Sequence, residues 1–180
     1  YGFAKGFRQR SDKDWIFYSL EANKDKSDSA KELYKDDTNI HILHSVLDKP
    51  YDHEIKAIFK NKIHNGWNQV DNENIFSATN FWERKDLPRW FDVVMLDGGE
   101  YTTYFDFLTI RDKTTTIILD DVNDTKSHMI CQLLNLDPMW RLKECVKDER
   151  GNDKLCVYEN VLGQRKYTME LELFEKKIFS

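Results

Sequence analysis

Three aspartates stand where two short apolar runs break off. Asp97 follows Val93–Leu96, and Asp120 with Asp121 follows Ile117–Leu119, all within the stretch FDVVMLDGGEYTTYFDFLTIRDKTTTIILDDVN from Phe91 to Asn123. Both runs are rich in β-branched residues and read as buried parallel strands. In open α/β sheets ligands bind outside the carboxyl ends of the strands, so neighbouring strands that deliver three carboxylates to that edge make a candidate site. A carboxylate there can accept a proton from a reacting group. Three in one place repel each other, which is a physical reason to expect a cation among them. The competing reading is local: an aspartate at a strand end often caps the next helix, and Asp121 and Asp124 both precede one.

The elements that must position these acids follow from the pattern on either side. Gly98 and Gly99 open a segment too long for a hairpin and long enough for a crossover with a short helix, which makes a βαβ unit. Upstream, Asp14–Glu21 (DWIFYSLE) reads as a strand ending in an acid. A helix follows, with Ser27 or Asp28 as N-cap and Ala30, Leu33 and Tyr34 at helical spacing. Thr38–Val46 is a further strand, buried on both faces, in which His41 and His44 are sheet residues rather than ligands. Beyond Lys49-Pro50, Tyr51–Ile63 carries Ile55, Ile58, Phe59 and Ile63 on one helical face. Residues 64–90 are polar, Asn-rich and aromatic, a lid or acceptor-binding excursion. Its Trp67, Phe76, Phe81, Trp82 and Trp90 either wall a pocket or tie the segment to the core.

Downstream, Asp124–Leu136 reads as a helix with Met129, Ile130, Leu133, Leu134 and Leu136 as its apolar face, ended by Pro138. Trp140–Val146 and Lys154–Glu159 are strands joined by a hairpin at Gly151-Asn152. In the tail from Gly163 to Ser180, alternating Tyr167, Met169, Leu171 and Leu173 suit an edge strand or an interdomain arm.

At 180 residues the chain suits a single domain, with 40% hydrophobic and 13% aromatic residues to build its core. Net charge is −5 and the basic residues are scattered, which argues against a nucleic-acid surface. No apolar run approaches the length of a membrane span. Cys131, Cys145 and Cys156 lack metal-ligand spacing and are odd in number, so they read as reduced, buried thiols in a cytoplasmic setting. The chain starts at Tyr1 with no Met and no signal-peptide pattern, as a domain excised from a longer chain would.

The order of strand ending in an acid, helix, strand, helix, strand ending in Asp-Gly-Gly, helix, strand ending in Asp-Asp, helix and hairpin resembles the class I S-adenosylmethionine-dependent methyltransferases. That resemblance implies an α/β, Rossmann-like methyltransferase fold, with a mostly parallel sheet and a C-terminal antiparallel hairpin. LDGGEYTTYFDF followed by ILDDVN is similar to the metal-dependent sugar O-methyltransferases, and more distantly to the catechol-type O-methyltransferases. The resemblance runs from Trp15 to Glu159. It implies S-adenosylmethionine as cofactor, with Glu21 on the ribose hydroxyls, Ser45 and Val46 near the adenine, and Gly2 and Asp97 as further contacts. It also assigns Asp97, Asp120 and Asp121 to a divalent cation, Mg²⁺ by the all-oxygen donor set, with Asn123 beside them. Asp97 takes a second role as general base, and Glu100 stands where related sequences often carry His. The family's first strand and glycine-rich loop should precede the Glu21 strand, and only Tyr1 to Gly6 is available for them. The first strand is then missing or trimmed, with Gly2 as the tail of the loop.

The chemistry this implies follows from charge. A sugar hydroxyl has a pKa far above neutrality and must lose its proton as it attacks the sulfonium methyl. A bound cation lowers that pKa and a carboxylate takes the proton. The expected reaction is therefore methyl transfer to a hydroxyl of a sugar or other small hydroxylated acceptor, small molecule or glycan, with no nucleic acid or membrane as partner. Two alternatives stay open. A metal-dependent glycosyltransferase would use ILDDVND to hold the cation on a nucleotide-sugar diphosphate. A degenerate methyltransferase-like domain would act as a binding module in a larger protein.

Overall fold

β-branched runs alternate with capped polar segments, and the computed structural model, which describes residue 6 and residues 14–60 and 65–162, resolves them into strands and helices. Gly2, Ile63, the side chain of Trp67 and the 163–180 tail lie outside the described residues. The elements are β1 (Phe17–Glu21), α1 (Lys24–Leu33), β2 (Ile40–Val46), α2 (Asp52–Phe59), α3 (Asn65–Ser77), β3 (Thr79–Asn80) and a 3-10 turn at Phe81–Glu83. They continue with β4 (Phe91–Leu96), α4 (Thr103–Ile110), β5 (Thr114–Asp120), α5 (Thr125–Leu136), β6 (Trp140–Lys147) and β7 (Asp153–Asn160).

β2 lies between β1 and β3, parallel to both, with Phe17 opposite Ile40 and Ser45 opposite Thr79. The second sheet runs β4-β5-β7-β6, with β4 and β5 parallel and the last two strands antiparallel. Mostly parallel strands closed by an antiparallel hairpin are consistent with a Rossmann-like methyltransferase fold. In a doubly wound sheet the first strand lies between the second and the fourth. β1 and β4 take those flanking places, and no strand among the described residues joins them. Among the described residues β4 is an edge strand, and its Val93 is 53% exposed rather than buried. Side chains bridge the two sheets instead. Tyr18, Leu20 and Leu43 pack on the cluster that holds Phe81, Leu96, Ile117, Leu119 and Ile130.

Several elements depart from their sequence-based outlines. Asn23, not Ser27 or Asp28, caps α1, its side chain accepting from Lys26 N; Asn caps as well as Ser and stands first at the strand's exit. Ser27 is instead buried inside the helix. The apolar face of α5 is narrower than its composition suggests, with Ile130 and Leu134 buried and Leu136 81% exposed. Much of the 64–90 excursion is helix, although its Asn-rich sequence has no helical apolar stripe. Burial of Ile75 and Ala78 against Val46 anchors α3. Phe81, 1% exposed, joins the core beside Tyr18 and Phe91. Lys113 Nζ and the Arg89 guanidinium lie 4.8 and 5.8 Å from the Trp82 ring centroid, while Phe76 and Trp90 stay exposed.

The reduced-thiol reading fails for two of the three cysteines. Cys145 and Cys156 stand opposite each other in the β6–β7 register and form a disulfide, leaving Cys131 as the free thiol among the described residues. The hairpin sets that register: Gly151 turns it with a φ of 83°, a conformation glycine adopts without steric cost. Among the described residues no helix is long and apolar enough to cross a membrane.

Candidate functional site

Leu96 pairs with Leu119, so the residues that leave β4 and end β5, Asp97 and Asp120, come out side by side. Asp121 follows with a φ of 48°, in the left-handed region that aspartate tolerates better than most residues. One oxygen from each of the three carboxylates lies within 4.8 Å of the others. Asp121 O accepts from Asp124 N at 2.9 Å, which folds the chain back into α5. Asp124 occupies the N-cap, yet its side chain makes no capping hydrogen bond. The Asp121 carboxylate is turned toward Lys126 rather than capping the helix.

Lys126 went unnoticed in the sequence. Its Nζ donates to Asp97 Oδ1 at 3.0 Å and lies 3.5 Å from Asp121 Oδ2. The lysine side chain is 9% exposed, whereas those of Asp97 and Asp121 are 51% and 43% exposed. Burial works against its charge, but the hydrogen bond and charge of Asp97, followed by those of Asp121, outweigh burial and raise its pKa. The sequence held one signal: Lys126 is the second residue of α5, where the helix dipole disfavours a cation unless acids stand nearby. The spacing and all-oxygen chemistry of the three aspartates suit a small divalent ion. The ammonium of Lys126 already shares two of them.

The loop after Asp97 is held tightly. A Cβ on Gly98 would lie 2.7 Å from Thr103 Oγ1, and that buried hydroxyl donates to Gly99 O at 2.8 Å. One turn along α4, Asp106 Oδ1 accepts from Asp48 N at 3.2 Å, tying the exit of β2 to the crossover helix. Burial pushes the Asp106 carboxyl up to about 7; the Asp48 N–H opposes the shift, the Asp48 charge adds to it and the Leu47 N–H opposes it.

Glu21 ends β1 with Oε1 accepting from Asn23 N at 2.8 Å, and Asn23 in turn donates to Asn74 of α3. The carboxylate is thereby fixed at the strand's carboxyl end. Ser45, 1% exposed, donates to Thr79 O, and Val46 packs on Ile75 and Ala78, so these two side chains serve the joint between β2 and α3. Asn123 Nδ2 donates to Asp153 O across the turn. The histidines are sheet residues, His41 stacking on Tyr18 and His44 Nε2 lying 2.9 Å from Ala22 O. Gly2 lies outside the described residues.

No protein-family profile matches the sequence, and no curated protein matches it significantly. Among solved structures the chain is similar to an O-methyltransferase from Bacillus cereus in complex with SAH, at 14% identity and a TM-score of 0.47. The match covers 81% of this chain, which spans 62% of the length of the other.

Proposed function

We propose that the chain is an S-adenosylmethionine-dependent O-methyltransferase acting on a hydroxyl of a sugar or another small acceptor, with a divalent cation held by Asp97, Asp120 and Asp121. The observation that carries this reading is the placement of those three carboxylates at the carboxyl ends of the adjacent parallel strands β4 and β5. That edge is where α/β sheets bind ligands. Glu21, fixed at the same end of β1 by Asn23 N, is the residue for the ribose hydroxyls. Asp97 is the most exposed of the three acids and is assigned to accept the proton of the acceptor hydroxyl. Asp120 and Asp121 keep the cluster anionic behind it. When bound, the cofactor supplies an electrophilic methyl and the cation lowers the pKa of the acceptor hydroxyl. The closing order β5-β7-β6 favours this reading over a nucleotide-sugar transferase. The Cys145–Cys156 bridge is chemistry that an oxidising compartment favours.

The test is calorimetric titration of S-adenosylhomocysteine into the protein with and without Mg²⁺, repeated on Glu21→Ala and on the Asp120→Asn/Asp121→Asn double variant. Binding that is lost in Glu21→Ala and kept in the aspartate variant supports the assignment. A protein that takes up a nucleoside-diphosphate sugar and no S-adenosylhomocysteine would sink it.

A further inference from the structure

The acidic cluster has its own cation. Lys126 Nζ bonds Asp97 and also reaches Asp121, from a side chain that is 9% exposed, while the carboxylates keep their open side toward solvent. Nothing in helix chemistry favours a lysine at that position. Its charge is set against the N-terminal end of the α5 dipole, so the aspartates are what hold it there. Any ion seated among the three carboxylates would draw on the same Asp97 and Asp121 that the ammonium occupies. The donor oxygens lie within 4.8 Å of one another, so the two cations would stand at a separation where like charges repel strongly. A lysine is suited to give way, because its charge sits at the tip of a flexible four-carbon stem.

We propose that Lys126 is a tethered counter-ion that closes the acidic site when no metal is bound, and that a divalent cation enters by exchange, displacing the ammonium from Asp97 and Asp121. The inference rests on the cation site proposed above. It adds that the chain sets its own metal threshold: the ion's apparent affinity is lowered by the fraction of molecules in which lysine holds the site. Without metal Asp97 and Asp121 stay paired with the ammonium.

The experiment uses the whole chain and Mg²⁺ or Mn²⁺ alone as the probe. Calorimetry is run on the parent protein, on Lys126→Met, which keeps most of the apolar stem, and on Lys126→Gln, which keeps a hydrogen-bond donor. Both variants are expected to bind the ion roughly tenfold more tightly, the size of one charge-assisted hydrogen bond removed from competition. In the parent protein, the rate at which an amine-acylating reagent labels Lys126, read by peptide mass spectrometry, is expected to rise when the ion saturates. Equal or weaker ion binding in both variants overturns the proposal, as does tighter binding with no change in Lys126 labelling, which would mean repulsion without exchange. Titrating S-adenosylhomocysteine into the same samples separates the two readings. Cofactor binding with no effect of Lys126 on the ion removes only the exchange, and exchange without cofactor binding removes only the methyltransferase.

Discussion

Asp106 offers a quantitative test of how the site's support is built. Its carboxyl, ordinarily near 3.8, is raised to about 7 chiefly by burial between α4 and the exit of β2. The folded chain therefore binds that proton more tightly than the unfolded chain does. By linkage, stability is greatest below the unfolded value, falls as pH rises from about 4 toward about 7, and levels off once the folded group is ionised. Each tenfold change in proton affinity is worth about 1.4 kcal/mol, which sets a ceiling of ~4 kcal/mol for the whole span. Asp106 keeps partial exposure, which discounts that ceiling to about 1–2 kcal/mol between about pH 5 and about pH 8. Asp106→Asn is neutral throughout and retains an oxygen for Asp48 N, so its stability should lack this component. The assay is urea unfolding followed by tryptophan fluorescence at both pH values. Titration of the other groups is common to both proteins and cancels in the difference. If parent and variant lose stability in parallel as pH rises, Asp106 is ionised in the fold at neutral pH and the reasoning fails.

Four further outcomes are expected. Gly98→Ala should destabilise by about 1–3 kcal/mol through overpacking on Thr103 Oγ1, and the loss should shrink in a Thr103→Ala background, measured as a double-mutant cycle by thermal unfolding. Thiol titration of the unreduced, unfolded protein should find one reactive cysteine, Cys131, and all three after reduction. Cys145→Ser/Cys156→Ser should lower stability by roughly 2–3 kcal/mol, as expected for a short closed loop, with urea midpoints as the readout. Phe81→Ala, at a core position 1% exposed, should cost about 3–5 kcal/mol in the same assay, whereas Leu136→Ala, at a position 81% exposed, should fall within about 0.5 kcal/mol of the parent.

What the sequence by itself determined was the placement of acids at strand ends. Val93–Leu96 and Ile117–Leu119 are short, β-branched and separated by a crossover's length, and those local facts suffice to make them parallel neighbours with Asp97 beside Asp120. Glu21 was legible for the same reason, as an acid closing an aromatic and β-branched run. The excursion after residue 64 was not legible, because α3 is held by burial of Ile75 and Ala78 against another element and not by a periodic stripe of its own. Tertiary structure alone decided the electrostatics of the site. Lys126 lies 29 residues from Asp97, and no spacing rule joins a helix's first turn to the end of a different strand. The cysteines were ambiguous for the same reason: one register of the β6–β7 hairpin sets Cys145 opposite Cys156, and a slip of one residue would turn every side chain of the strand to the other face. Local pattern fixes which way a segment folds and where its charges emerge, whereas the partner of each charge or thiol depends on a through-space distance that only the packed chain defines.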